Sequence, residues 1–367
     1  MNTATPTSAP RGFQNVWLVA EREVGSKLRS RAFVISTAIT LLIALAAVIW
    51  GGFSAGNPSA TQVAVTSSTA AAVEKVAGIE VTQVADRDAA EALVRSGEVR
   101  AGVVDDPSSP TGLVIIAEDS PPTALLMGLS VTPSVELLDP ATVDFALRYF
   151  VSLGFGIVFL LAASLFGGTI AQSVVEEKQT RVVELLLSAM PARSLLAGKI
   201  IGNTILAMAQ ILLLATIAVV GLIVTGQSEV LQGLGGPIAW FAIFFLFGFV
   251  LLAALFAAAG SLVSRMEDIG STTAPLTMLI MAPYFLVIFF NNNPVVLTVM
   301  SYVPFSAPVG MPLRLYLGDA QWWEPILSLA ILIATCIGAI VLAATIYERS
   351  ILRMGARVSW REALKTP

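Results

Sequence analysis

Residues 174–199 read VVEEKQTRVVELLLSAMPARSLLAGK, and they gather Glu176, Glu177, Lys178, Arg181 and Glu184 within nine positions. A carboxylate pair beside cations could serve general acid/base chemistry, pair with a partner's charges, or simply face water. The surrounding sequence narrows this. There is no histidine, which removes His-based acid/base catalysis, Ser-His triads and His-ligated metal sites. The one cysteine, Cys336, lies inside an apolar run, so no disulfide framework exists. The Gly198-Lys199 pair is followed by Ile200 and lacks the upstream glycine of GxxxxGK[ST], so it is no phosphate-binding loop. The stretch thus offers charge at a defined spacing, and no catalytic constellation.

The elements around it belong to a membrane. Of 367 residues, 56% are hydrophobic and 13% charged, with mean hydropathy +0.82; soluble domains carry about 25% charged residues. Six apolar runs, 33–53, 147–173, 200–225, 237–263, 271–290 and 326–347, are each long enough to cross a hydrocarbon core of about 30 Å. None has Asp, Glu, Lys or Arg in its interior, and the polar residues there are of the kind of Gln172, Asn203 and Gln210. The pattern predicts an all-α polytopic membrane protein with six transmembrane helices.

Basic residues set the orientation. With the N-terminus cytosolic, segments 1–32, 174–199, 264–270 and 348–367 face inward and hold 15 of the 21 Lys and Arg. Both termini are then expected in the cytosol, in the cytoplasmic membrane. The polar lead of 32 residues and the span-length apolar run predict an uncleaved first anchor. Before it, Phe13, Val16, Trp17, Ala20, Val24 and Leu28 recur at helical spacing, with Glu21, Glu23, Lys27 and Arg29 elsewhere, which predicts an interfacial helix within 1–32.

Residues 54–146 are expected outside. Strand-like runs at 61–68, 79–85, 100–106 and 112–119 alternate with helical runs at 69–77 and 86–99, the latter opened by an Asp cap and closed near Gly97. This predicts an inserted extracytoplasmic α/β domain between spans 1 and 2. Its 13 acidic and four basic residues suit a solvated surface or a cation-collecting vestibule. The apolar, proline-punctuated segment 291–323 predicts a re-entrant pair of short helices, or an outer loop with Trp322 and Trp323 at the interface. The remaining region, 147–347, is a five-helix transmembrane bundle, followed by a tail at 348–367.

On this topology 174–199 is a cytosolic helix. At about 100° per residue, Glu176, Glu177, Thr180, Arg181 and Glu184 share one side, with Val175, Val182, Val183, Leu185 and Leu186 opposite. Glu177 and Arg181 stand at i,i+4 in the favourable order, and the helix should stop near Met190, before Pro191, where a second short helix starts and runs into the next span with Lys199 at the inner membrane edge. It is either a plain interfacial helix between spans or a docking face for a partner.

The stretch EEKQTRVVELLLSAMPARSLLAGKIIGN resembles the cytosolic signature of type-2 ABC exporter permeases. VAEREVGSKLRSRAFV, YVPFSAPVGMPLRLYLG, WWEPILSLAIL and IYERSILRMGARVSWREALK resemble segments of their sodium-export branch, in order along nearly the whole chain. The resemblance implies a permease subunit of an ATP-driven exporter, with sodium, another cation or a drug as substrate, and the uncharged spans suit an amphipathic substrate or lipid equally. It implies that Glu176, Glu177, Lys178, Arg181 and Glu184 lie at the surface coupling to a separate cytosolic ABC ATPase. ATP and Mg would sit on that ATPase and no cofactor on this chain. Two permeases, as a homodimer or pseudo-dimer in the lipid bilayer, would form the pathway, and no nucleic acid is involved. Asn203, Thr204 and Gln210 are the polar candidates to line it, or bonds between helices. Pairs such as Ala163/Gly167, Ser164/Gly168 and Ala334/Gly338 permit close helix contacts within or between chains. The rival functions are a membrane-anchored sensor or assembly factor working through its outer domain, and a secondary transporter. The latter is disfavoured because no ionisable residue sits at span midplane. An intramembrane enzyme would need paired carboxylates, Ser/His or a metal motif at depth, and none is present.

Overall fold

The computed structural model describes residues 11–56, 61–76, 78–109, 111–118, 121–129, 145–353 and 362. The chain forms two compact units, Ile49–Pro140 and the remainder. Helix α1 (Arg11–Arg29) and helix α2 (Arg31–Gly56) are separated by Ser30 alone. The smaller unit follows with β1 (Thr61–Val65), α3 (Ala70–Val73), β2 (Ile79–Gln83), α4 (Arg87–Arg95), β3 (Ala101–Asp105), β4 (Leu113–Ile116) and α5 (Thr123–Leu129).

In this unit the strand order is β2-β1-β3-β4, with β1 parallel to both neighbours and β4 antiparallel to β3. A parallel sheet buries both faces, so its strands read as nearly continuous apolar runs. Val63, Val65 and Val103 accordingly pack with Val73 of α3 and Leu125 of α5, and Ala64 and Val104 pack with Ala90 and Val94 of α4. The Asp86 carboxylate accepts from the Ala89 amide at 2.9 Å, capping α4. Gly97, at φ +74°, closes the turn after it, where a side chain would be strained.

The larger unit continues with α6 (Phe145–Gln179), α7 (Val182–Ala189), α8 (Ala192–Val224), α9 (Ser228–Ser261), a 3-10 turn (Met266–Asp268), α10 (Ile269–Phe289), α11 (Pro294–Tyr302), α12 (Ala307–Leu317) and α13 (Glu324–Ser350). Six of its helices, α2, α6, α8, α9, α10 and α13, are long and apolar enough to cross a membrane. The expected spans are therefore present among the described residues, though most run past the apolar boundaries. Helix α9 begins at Ser228, nine residues before Pro237, which is absorbed into the helix. The expected loop at 226–236 shrinks to a short turn with Gly226 at φ +75°.

Helix α9 is the centre of the bundle. Phe244, Phe245, Phe249, Ala254, Ala257, Ala258 and Ala259 are all essentially buried. Phe159 and Phe166 of α6 meet Phe245 and Phe249 edge-to-face, at centroid distances of 6.0 and 5.8 Å. Gly167 of α6 admits the ring of Phe256, and Gly260 admits the Ala171 backbone, where a Cβ would fall 2.7 Å from its carbonyl oxygen. Of the small-residue pairs, Gly167 thus packs inside the chain, while Gly168 and Gly338 meet nothing within 4 Å.

Segment 291–323 holds the two short helices α11 and α12, closely opposed where Gly310 lies against Met300 and Ser301. Asn293 caps α11. The buried Arg314 guanidinium joins Ser301 Oγ at 3.0 Å, the Asp319 carbonyl at 2.9 Å and the Glu324 carboxylate at 2.6 Å. Ser328 Oγ donates to the Ser301 carbonyl, tying the pair to α13. A buried guanidinium is retained only when so fully matched.

Candidate functional site

The charged stretch at 174–199 is three pieces of helix, where the sequence predicts two divided at Pro191. Nothing in SVVEEKQ breaks a helix, so α6 continues to Gln179. The chain turns at Thr180–Arg181, with Arg181 in the left-handed conformation at φ 57°, ψ 11°. Helix α7 occupies eight residues and ends at Ala189. Pro191, in extended backbone, is the N-cap of α8, which begins at Ala192 and runs unbroken into the next span. Proline suits that position because its missing N–H has no partner to lose there.

This division corrects the expected single charged face. Glu176, Arg181 and Glu184 are exposed around the α6–α7 turn, whereas Glu177 is only partly exposed and Lys178 is fully buried. Val174, Val175 and Val183 are buried, but Val182 and Leu185 are not; Leu185 is 73% exposed. The surface of the turn is therefore mixed, with one prominent leucine among charges.

Lys178 Nζ donates to the Ser261 carbonyl at 2.8 Å and to the Ser350 carbonyl at 2.9 Å. These are the last residues of α9 and α13. An ammonium between two helix C-termini satisfies carbonyls that lack intrahelical donors and complements both helix dipoles.

Glu177 faces the other way, into a buried ion network. Lys199 Nζ lies 2.8 Å from Glu23 Oε1 and 3.0 Å from Glu177 Oε1, and it donates to Ser173 Oγ. Arg22 pairs with Glu177 and lies 3.5 Å from Glu23. Lys27, one turn along α1, bonds Thr169 Oγ1 and sits 5.8 Å above the Phe166 ring. Burial opposes ionisation of Glu23, but the Lys199 ammonium, with Arg22 and Lys27, holds its pKa below the usual carboxylate value. Burial pushes the Lys27 pKa down to about 8, against the attraction of Glu23.

The network exists because α1 lies across the start of α8. A Cβ at Gly198 would fall 2.4 Å from Val19 Cβ, and one at Gly202 would fall 2.8 Å from the Ala20 carbonyl oxygen. The two glycines form a notch that seats Val19 and Ala20, and Lys199 between them meets Glu23. The GxxxG spacing of GKIIG is the signal that would have located this crossing. Glu23 and Lys27 are therefore not on an outward polar side of α1, as the helical spacing predicts. At the other end of this region, Arg193 forms a paired contact with Glu348 of α13 at 2.6 and 3.1 Å.

Asn203, Thr204 and Gln210 lie on the buried side of α8. Asn203 Nδ2 donates to the Lys199 carbonyl at 2.8 Å and Thr204 Oγ1 to the Ile200 carbonyl at 2.7 Å. Asn203 Oδ1 and Gln210 Oε1 have no hydrogen-bond partner among the described residues. Among those residues no group of His, Cys, Asp and Glu is arranged to hold a metal ion.

Six helices long and apolar enough to span a membrane, with a charged reversal between two of them, define a multi-pass membrane protein. The profile of the family described as "ABC-2 family transporter protein" matches residues 31–345, and the chain belongs to that family. It is 30% identical over 210 residues to the uncharacterized protein YhaP of Bacillus subtilis, covering 54% of this chain and 50% of that one. It is 31% identical over 218 residues to the uncharacterized protein MJ1024 of Methanocaldococcus jannaschii, covering 58% and 53%. The chain thus matches about half the length of these curated relatives.

Proposed function

We propose that the chain is the membrane-spanning permease subunit of an ATP-driven ABC exporter, with ATP hydrolysed by a separate cytosolic subunit that carries the ATP and Mg. Family membership supports the permease role. The observation that carries the coupling role is the α6–α7–α8 reversal. It presents Glu176 at the end of α6, Arg181 in the turn, and Glu184 and Leu185 on the short helix α7, which is joined directly to two spans. A push on α7 is delivered to α6 and α8 without an intervening flexible loop. On this reading Glu177 and Lys178 act one layer in, fixing the end of α6 against its neighbours.

The excess of Lys and Arg supports a cytosolic position for this reversal and for both termini, which leaves 54–146 and 291–323 outside. Sodium efflux is the transport reaction we propose, on the resemblance to the sodium-export branch. A pair of permeases would enclose the path. The unpaired oxygens of Asn203 and Gln210, with the Thr204 hydroxyl, are the polar groups we propose along it.

The test is affinity purification of the tagged chain from its native membrane in mild detergent, with mass spectrometry of bound proteins. A stoichiometric ABC ATPase is expected, and it should be lost in the variant Arg181→Glu/Glu184→Lys without a change in thermal stability. A preparation free of ATPase, under conditions that keep other ABC complexes intact, would move the function to a sensor or assembly factor.

A further inference from the structure

Two orphaned polar groups stand where α13 meets the end of α6. Tyr347 of α13 is fully buried, and its hydroxyl has no hydrogen-bond partner among the described residues. Glu177 Oε2 is closed to solvent and likewise without a partner. Oε1 of the same carboxylate is 3.0 Å from Lys199 Nζ and pairs with Arg22. The fold makes Tyr347 and Glu177 neighbours. Lys178, next after Glu177, donates to the Ser350 carbonyl at 2.9 Å, one turn beyond Tyr347. The charges that act on the Tyr347 hydroxyl are those of Glu177, Glu23 and Arg22, Glu177 most strongly. Ser350 Oγ, buried on the same turn of α13, is a third group without a partner.

A buried hydroxyl or carboxylate oxygen left unpaired is costly, so protein interiors match nearly all of them, with protein groups or with bound water. A phenol O–H donates and a carboxylate oxygen only accepts. The two are chemically matched, yet they do not bond each other. What joins them must accept from the phenol and donate to the carboxylate. Charge decides its class. Arg22, Lys27 and Lys199 already outnumber Glu23 and Glu177, and Lys178 is a further cation alongside. A bound cation is therefore disfavoured, and an anion would meet the Glu177 carboxylate. A neutral group that both donates and accepts satisfies both sides. Water is the smallest such group, and a buried water takes about two to four partners of this kind.

We propose that an ordered water binds between Tyr347 Oη and Glu177 Oε2, and that Tyr347 acts through it as a positioning residue for the ion network. The water accepts from the phenol and donates one hydrogen to Glu177 Oε2, and its second hydrogen is available to Ser350 Oγ. Glu177 is then held on both oxygens, by Lys199 and Arg22 on one and by Tyr347 through the water on the other. Helix α13 thereby joins α1, α6 and α8 in a single polar contact. The inference rests on the packing of these four helices and not on the ATPase. Failure to capture an ATPase leaves it standing.

The test uses the full chain in lipid nanodiscs. A millisecond X-ray pulse makes hydroxyl radicals from bound water as well as bulk water, so a side chain beside an internal water is oxidised even when closed to solvent. Tyr347 should be modified well above Phe244 and Phe245 of α9, which are buried to the same extent. Modification no higher than that of these two rings would overturn the water site, and this wild-type measurement needs no variant to fold. The positioning role is read by infrared spectroscopy. The Glu177 carboxylate stretch, assigned by its loss in Glu177→Gln, should shift in Tyr347→Phe, which keeps the ring and removes only the hydroxyl. A stretch unmoved in folded Tyr347→Phe would remove that role. A shift without modification of Tyr347 would mean a direct bond between the two residues and would overturn the water.

Discussion

Lys199 and Glu23, 176 positions apart in sequence, lie 2.8 Å apart in a site closed to solvent. The pair joins the N-terminal helix to the third span, and Glu177, at 3.0 Å from the same ammonium, draws the end of the second span into the contact. One cation thus holds three elements.

Removing one partner should cost far more than removing both. Glu23→Leu leaves the buried Lys199 ammonium with Glu177 alone, and Lys199→Met leaves Glu23 with only Arg22 at 3.5 Å, for a loss of about 3 kcal/mol each. The double variant Glu23→Leu/Lys199→Met should recover much of it, because Arg22 still pairs with Glu177. A double-mutant cycle on unfolding in mixed micelles should give a coupling of about 2–3 kcal/mol. Additive losses would show that the pair contributes nothing jointly.

Gly202→Val tests the notch that positions the pair. Its new Cβ would fall within 2.8 Å of the Ala20 carbonyl oxygen, a backbone atom that cannot move without α1. Helix α1 should detach while the spans remain inserted. The readout is rapid proteolysis after α1 residues such as Lys27, with an otherwise intact membrane fragment. Unchanged resistance would mean that α1 is held elsewhere.

The pH dependence follows from Lys27. Its pKa falls from 10.5 to about 8 on burial in the fold. Between these values the unfolded chain binds the proton and the folded chain does not, so stability rises as pH increases from about 8 to 10.5. Glu23 works in the acid range: its lowered pKa contributes stability that is present above 4.5 and lost as pH falls through the folded value. Thermal unfolding across the alkaline window should show the gain in wild type and a flatter profile in Lys27→Met. Parallel profiles would assign the dependence to other groups.

Lys178→Met should destabilise the protein without altering the exposed surface of α7. It removes charge-assisted bonds to the Ser261 and Ser350 carbonyls, each of the class worth about 1.5–3 kcal/mol. The melting temperature should fall by several degrees, while the surviving folded fraction captures the ATPase normally. Loss of capture at full stability would place Lys178 at the partner contact after all.

The spans and the small sheet were legible because their signals are local. A run of 20 apolar residues or a valine-rich strand flanked by turn residues needs no knowledge of the rest of the chain. The break at Thr180–Arg181 was not legible, since neither residue is a helix breaker and a left-handed arginine arises only from the packing around it. The 100° periodicity therefore ran through a corner and gathered Glu176, Glu177 and Arg181 onto a face that does not exist. Nor could spacing reveal that Glu23 and Lys27 turn inward, because their partners lie on α6 and α8. The notch at Gly198 and Gly202 was present in the sequence as plain spacing and was overshadowed by the Gly-Lys reading of the same residues.

The lysine between the ends of α9 and α13 has a mechanical consequence. Three spans are pinned together at one end of the bundle, like the ribs of a fan at its rivet. Helix α9 has 34 residues, a length of about 50 Å, so each degree of tilt about that rivet displaces its far end by about 0.9 Å. Small rotations near the charged reversal are thereby magnified at the opposite end of the bundle, where α11 and α12 pack against the same three helices.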